Sequence, residues 1–291
     1  MKRRRTLIAT LLAAILGGFA WFVLRPPPEP VYQGKPLRAW LQQYHDENSL
    51  AYEEELLYGR RRSPQPPNER LAGAEEAIQQ IGVDGLPTLL RMLGQEPWSP
   101  YEKFVRYLQR RSWLKSPSVP HDDSLAKHGF YVLASKARPA VPALLRMVNK
   151  GDVGVQRSAM EALGNIGPEA QEAVPGLIQR IAQTNNQVHW FAINALGKIH
   201  SNPELVVPAL TNSLATAVST SREGSLTVRL DLIALGKFGQ KADSAVPAIL
   251  RFVKNPDLDI QDAAIEALKS IDPAAAAKAG ANRTPPPTIF R

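Results

Sequence analysis

A chain of 291 residues with 44% hydrophobic content can bury a large core, and it contains no cysteine. That excludes disulfides, thiolate metal sites, a cysteine nucleophile and a lipid anchor on cysteine. The formal charge of +8 does not mark a nucleic-acid binder: Lys2, Arg3, Arg4, Arg5 and Arg25 supply five of those charges, and residues 26–291 carry 30 basic against 27 acidic groups.

Residues 1–5 form a basic leader to Thr6–Leu24, nineteen residues without a charge. At about 1.5 Å per residue such a helix spans roughly 28 Å, close to the hydrocarbon thickness of a bilayer. A cleaved signal peptide has a shorter apolar stretch and a small-x-small site, for which Gly18-Phe19-Ala20 is a candidate. Trp21-Phe22-Val23-Leu24 prolongs the apolar run, and Trp21 suits an interfacial belt. The expectation is an uncleaved transmembrane helix at residues 6–24, with the basic end cytoplasmic and the remainder extracytoplasmic. Residues 25–35, containing Pro26-Pro27-Pro28-Glu29-Pro30, are predicted to be a stiff linker. Residues 36–68 read as a cap helix and a basic loop around Arg60-Arg61-Arg62.

From residue 69 the chain repeats itself. Ala162-Leu163-Gly164-Asn165-Ile166 and Ala173-Val174-Pro175-Gly176-Leu177 are its fullest statement. The motif alanines Ala162, Ala195, Ala234 and Ala267 step by 33, 39 and 33 residues. The prolines Pro87, Pro142, Pro175, Pro208 and Pro247 step by 55, 33, 33 and 39. Degenerate copies begin at Ala77 and read Val132-Leu133-Ala134, which makes six copies over residues 69–272. Within one copy, Val155, Ala159, Ala162, Leu163 and Ile166 lie at helical spacing on one stripe. Gly167-Pro168 ends that helix, and Pro175 sits in the first turn of the next, where its missing N–H costs nothing. Each copy is therefore a helical hairpin whose apolar face needs a neighbour, and the predicted fold class is an all-α solenoid.

The long step between the first two prolines holds an insertion, residues 95–123. Tyr101–Lys115 reads as an amphipathic helix whose exposed face carries Lys103, Arg106, Arg110, Arg111 and Lys115. One reading makes these a contact for anionic lipid headgroups or an acidic partner. The other makes the insertion an elaborated hairpin whose aromatics pack on the repeats. Residues 273–291 lose apolar periodicity and are expected to be a fraying helix and a disordered tail.

Catalytic constellations are weak. The five histidines include no His-Glu-x-x-His motif. His121-Asp122-Asp123 with His128 can be drawn as a metal site, but carboxylates opening a helix explain them more cheaply. Ser112-x-x-Lys115 and Ser124-x-x-Lys127 stand without the accompanying motifs of acyl-enzyme chemistry. The expectation is a non-enzyme without cofactor or metal.

The recurring Ala-Leu-Gly and Val-Pro half-motifs resemble HEAT repeats, in particular the bacterial HEAT-like type associated with phycobilin lyases. Tyr32–Leu41 is similar to the opening of membrane-anchored bacterial HEAT proteins. The resemblance implies an armadillo-type superhelix, held by its anchor on the periplasmic face of a bacterial inner membrane. It places helices 69–81, 124–136, 153–166, 187–199, 225–238 and 258–271 on the concave side. Aligned by their motif alanines, these helices present Tyr131, Trp190, Phe191, Asn194, Lys198, Leu230, Ile233, Lys237 and Glu266 off the buried stripe. A protein or peptide partner is expected there, and the alternative is that Trp190 and Phe191 pack between helices. The resemblance also implies an Asp–Arg ladder. Asp152 and Arg157 match it, Arg229 matches more loosely, and Trp190 and Asp262 interrupt it. Asp231 stands where other copies have Ala159 and Ala192, so a register shift or a nearby Arg is expected to accommodate it. The lyase resemblance leaves a second reading, a lyase-like or cofactor-handling protein.

Overall fold

The computed structural model describes residues 28–58, 68–94, 122–183, 188–217 and 222–279. The predicted anchor 6–24, the insertion with Lys103, Arg106, Arg110, Arg111 and Lys115, and the tail from 280 lie outside the described residues. Among the described residues, no helix is long and apolar enough to cross a membrane. The chain divides into two compact units, Met1–Ala126 and Lys127–Arg291.

The N-terminal unit opens on a hairpin of β1 (Val31–Tyr32) and β2 (Lys35–Pro36). Gln33 and Gly34 both take positive φ (48° and 76°), the turn whose twist matches paired strands. The predicted linker is therefore not a free stalk at its C-terminal end. Glu29 pairs with Arg38 at 3.4 Å, Pro30 O accepts from Leu37 N, and Trp40 Nε1 donates to Tyr32 O at 3.1 Å. These contacts fasten residues 29–36 onto α1 (Leu37–Tyr58). Buried Leu37, Trp40, Leu41 and Tyr44 of α1 pack towards α2 (Glu69–Ile81), and a 3-10 turn, Gly82–Gly85, leads into α3 (Leu86–Gly94). Asn68 caps α2, accepting from the backbone N of Arg70 and Leu71.

Helix α4 (Asp122–Leu133) leads into the C-terminal unit. The following helices are α5 (Val141–Lys150), α6 (Val153–Ile166), α7 (Val174–Ala182), α8 (His189–Ile199), α9 (Pro203–Thr216), α10 (Arg222–Lys237), α11 (Val246–Leu250), α12 (Leu258–Ile271) and α13 (Pro273–Lys278). They form two layers. The Ala-Leu-Gly helices α6, α8, α10 and α12 pack in that order as a motif layer. The proline-bearing α5, α7, α9 and α11 each pack on the motif helix that follows them in sequence. The tight hairpin is thus proline helix then motif helix, the reverse of the frame predicted from sequence. In three of the hand-overs from motif helix to proline helix the chain turns through 3-10 segments, Ala134–Ala140, Gly167–Ala173 and Gly239–Ala245.

The motif glycines explain the packing. A β-carbon added at Gly164 would lie 3.2 Å from Ala195 Cα. At Gly197 it would meet Ala234 Cβ at 3.1 Å, and at Gly236 Ala267 Cα at 3.0 Å. The glycine of each repeat thus receives the alanine of the next, which lets the backbones close together. In α12 that position is Lys269, 43% exposed at its side chain and paired with Glu266.

Left-handed backbone marks the C-terminal ends of five motif helices: Gly82, Ala134, Gly167, His200 and Gly239, with φ of 44–80°. This corrects the second copy. Ala134 is the equivalent of Gly167, so the repeat unit there is Gly129-Phe130-Tyr131 rather than Val132-Leu133-Ala134. The helix ends at Leu133 instead of 136 for the same reason. An alanine pays a steric cost in this conformation that glycine does not. Ala134→Gly is expected to raise stability by about 0.5–1 kcal/mol, read as an increased midpoint in thermal or urea melts.

A further expectation changes. Asp231 neither shifts the register nor meets an arginine. It is fully buried, its Oδ2 accepts from Ser213 Oγ of α9 at 2.7 Å, and its Oδ1 has no hydrogen-bond partner among the described residues. Burial pushes its carboxyl well above the ordinary range, and the Ser213 hydrogen bond offsets this in part. At the end of the unit, Pro273–Lys278 are helical. Asp272 accepts from Ala274 N at 3.0 Å and Ala275 N at 2.9 Å, starting α13 as a new capped turn.

Candidate functional site

Outside the buried stripe, α8 carries Phe191, Asn194 and Lys198 at i, i+3 and i+7, and α10 carries Leu230, Ile233 and Lys237 at the same spacing. Residues so spaced share one helix face. Because α8 and α10 are neighbours in the motif layer, six of the residues predicted for a partner surface form two adjacent rows. Ile233, Lys198 and Lys237 are exposed; Phe191, Asn194 and Leu230 are half-buried. Glu266 occupies the Ile233 position on α12 and is exposed.

Trp190 differs from the others. Its indole Nε1 donates to Thr227 Oγ1 of α10 at 2.9 Å, so the half-buried ring bridges two repeats. Phe191 lies under the Arg157 guanidinium, 5.8 Å from ring centre, which joins α6 to α8. Tyr131 is 61% exposed, but it stands at the position of the motif glycines and off the Phe191–Lys198 row.

The Asp–Arg ladder, interrupted in sequence at Trp190 and Asp262, is accompanied by other contacts between repeats. Asp152 is spent on its own helix, accepting from Val155 N at 2.9 Å. Inter-repeat links are Lys127–Glu161 at 2.9 Å, Lys198 Nζ donating to Asn165 Oδ1 at 3.0 Å, and Arg229–Asp259 at 3.4 Å. Asn165, which also donates to Lys127 O at 3.3 Å, was not among the predicted surface residues. The 33-residue step had already put it at the Lys198 position.

Lys198 and Lys237 occupy equivalent positions one repeat apart. Neither is paired with a carboxylate among the described residues. The Lys237 ammonium is held below its usual pKa, first by burial of its stem and then by the charge of Lys198.

Of the residues 121–128 from which a metal site can be drawn, His121 lies outside the described residues. Asp122 is engaged by both terminal nitrogens of Arg38, and Asp123 is buried and has a partner. Among the described residues, no group of three histidines or carboxylates is placed to hold a metal ion.

A sequence model described as HEAT repeats matches residues 141–227, from the first residue of α5 into α10. No curated protein and no solved structure matches the chain. The matched segment begins at a proline helix, the frame in which the tight hairpins pack.

Proposed function

We propose that the protein is a non-catalytic binding scaffold whose motif layer recognises a protein or peptide partner. The observation that carries this reading is the pair of adjacent rows on α8 and α10, where apolar and cationic side chains lie side by side and reach solvent. HEAT repeats commonly mediate protein interactions. A stacked array supports the same role physically, because a surface built on packed helices is ordered before the partner arrives and binding costs less entropy. We further place the scaffold on the periplasmic side of a bacterial inner membrane, tethered by residues 6–24. The charge-free run behind four basic residues supports that topology.

Site-specific photocrosslinking tests the face. A photoreactive side chain at Ile233 is expected to capture a discrete protein adduct in cells. The same group at Leu205, equally exposed but on the proline layer, is expected not to. Adducts of equal yield at both positions, or at neither, would remove the assignment. Trp190→Ala is a poor test, since it also breaks the bridge to Thr227.

A further inference from the structure

The solvent face of the motif layer changes character between its ends and its middle. At the ends it carries Glu161 and Glu266, each already neutralised, by Lys127 at 2.9 Å and Lys269 at 2.8 Å. In the middle the same position holds Asn194 and Ile233, and one turn further stand Lys198 and Lys237. Among the described residues no carboxylate pairs with either lysine, whereas the charges of the flanking repeats are matched.

The two lysines are also held in place. A β-carbon at Gly164 would lie 3.2 Å from Lys198 Cδ, and one at Gly197 would lie 3.7 Å from Lys237 Cδ. Each lysine stem therefore lies across the glycine of the preceding repeat, and the two ammonium groups follow one direction along the layer. Asn165 anchors the first of them through Lys198 Nζ. Ordering two like charges beside each other is unfavourable until an anion joins them. With their stems already packed, little side-chain entropy remains to be lost on binding.

We propose that Lys198 and Lys237, with Ile233 one turn and Phe191 two turns away, read an extended partner segment that presents carboxylates and large apolar side chains two residues apart on one face. This rests on the scaffold reading above and names the partner's chemistry. Residues i and i+2 of an extended strand share one face and lie roughly 6.6 Å apart, comparable with the ~5.4 Å of the helical turn between Lys237 and Ile233. A peptide carboxylate on the lysines thus brings the side chain two residues away over Ile233.

The test is selection of a random peptide library on the full-length chain in detergent, followed by titration with a synthetic peptide repeating Glu-Ser-Leu-Ser. Selected sequences are expected to be rich in Asp or Glu with apolar residues two positions away. Lys198→Gln with Lys237→Gln is expected to weaken this peptide about tenfold or more. Lys198→Arg with Lys237→Arg is expected to retain binding. Lys150→Gln with Lys254→Gln, the same charge change elsewhere, is expected to stay within about twofold. All these side chains are exposed, so melting curves should coincide. Selected peptides that lack acidic residues, bind independently of the lysines and are lost with Ile233→Asp would overturn this inference and leave the scaffold reading standing. No peptide sensitive to Ile233→Asp or to the lysines would overturn both. Lysine-dependent binding confined to anionic vesicles or single-stranded nucleic acid would also overturn the peptide assignment.

Discussion

Gly236→Val is expected to destabilise the C-terminal unit by about 1–3 kcal/mol or more. The same change usually helps a helix, because glycine is its poorest former after proline. Here the side chain must enter where a β-carbon already lies 3.0 Å from Ala267 Cα and 3.3 Å from its Cβ. Backbone cannot rotate away as a side chain can, so α10 and α12 must separate along the contact. Because each repeat is stabilised by its neighbours, the loss should appear first as release of α12 and α13. Hydrogen exchange across residues 258–278 is the direct measurement. Two controls isolate the cause. Lys269→Val occupies the same motif position on α12, after which α13 rather than an Ala-Leu-Gly helix comes next, and is expected to change stability by less than about 0.5 kcal/mol. Gly73→Ala, in the interior of α2 with nothing within 4 Å of the new atom, is expected to stabilise its unit by about 0.5–1 kcal/mol. If Gly236→Val and Lys269→Val behave alike, the glycine–alanine contact is not what joins the repeats.

Asp231→Ala is expected to stabilise the protein, and by more at pH 8 than at pH 5. The native carboxyl is held well above its ordinary value by burial, while in the unfolded chain it titrates near ~3.9. Above that value the unfolded state binds fewer protons than the native one, so stability falls as pH rises. The decline continues until pH passes the native pKa, beyond which the full penalty is present. Alanine removes both the titration and the unpartnered Oδ1, a gain of about 1–3 kcal/mol against about 1 kcal/mol for the lost Ser213 hydrogen bond. It also restores the residue that Ala159 and Ala192 supply in other repeats, so little strain is introduced. Asp231→Asn keeps an acceptor for Ser213 and should flatten the pH dependence without the full gain. Urea melts of the three proteins at both pH values decide the matter. A wild-type-to-alanine difference that does not widen at pH 8 would mean the carboxyl escapes burial in solution.

Helix identity was legible because it is local. Val153–Ile166 and Leu258–Ile271 match the bounds that the resemblance implied, since apolar periodicity and the stop signals Gly167 and Asp272-Pro273 act within a few residues. The register of the second copy was not legible, because Ala134 takes a conformation that its residue type disfavours. Sequence there offers a motif-like Val-Leu-Ala three residues from the true one.

The face of the candidate site followed from the 33- and 39-residue steps, which put Lys198 beneath Lys237 and Asn194 beneath Ile233 without coordinates. What each residue does on that face required neighbours in space. Trp190 and Phe191 look alike as exposed aromatics, yet one is hydrogen-bonded to Thr227 and the other lies under Arg157. Asp231 shows the same division: its place on the buried stripe was written in the repeat, while its partner, Ser213, lies 18 residues away on another helix. The chain's own periodicity decided which elements form and which of their faces are apolar, because those depend on interactions within a turn or two. Pairing between helices decided the rest, namely which glycine admits a backbone, which charge stays unmatched and which hairpin is tight, because each depends on what the adjacent repeat brings within a few ångströms.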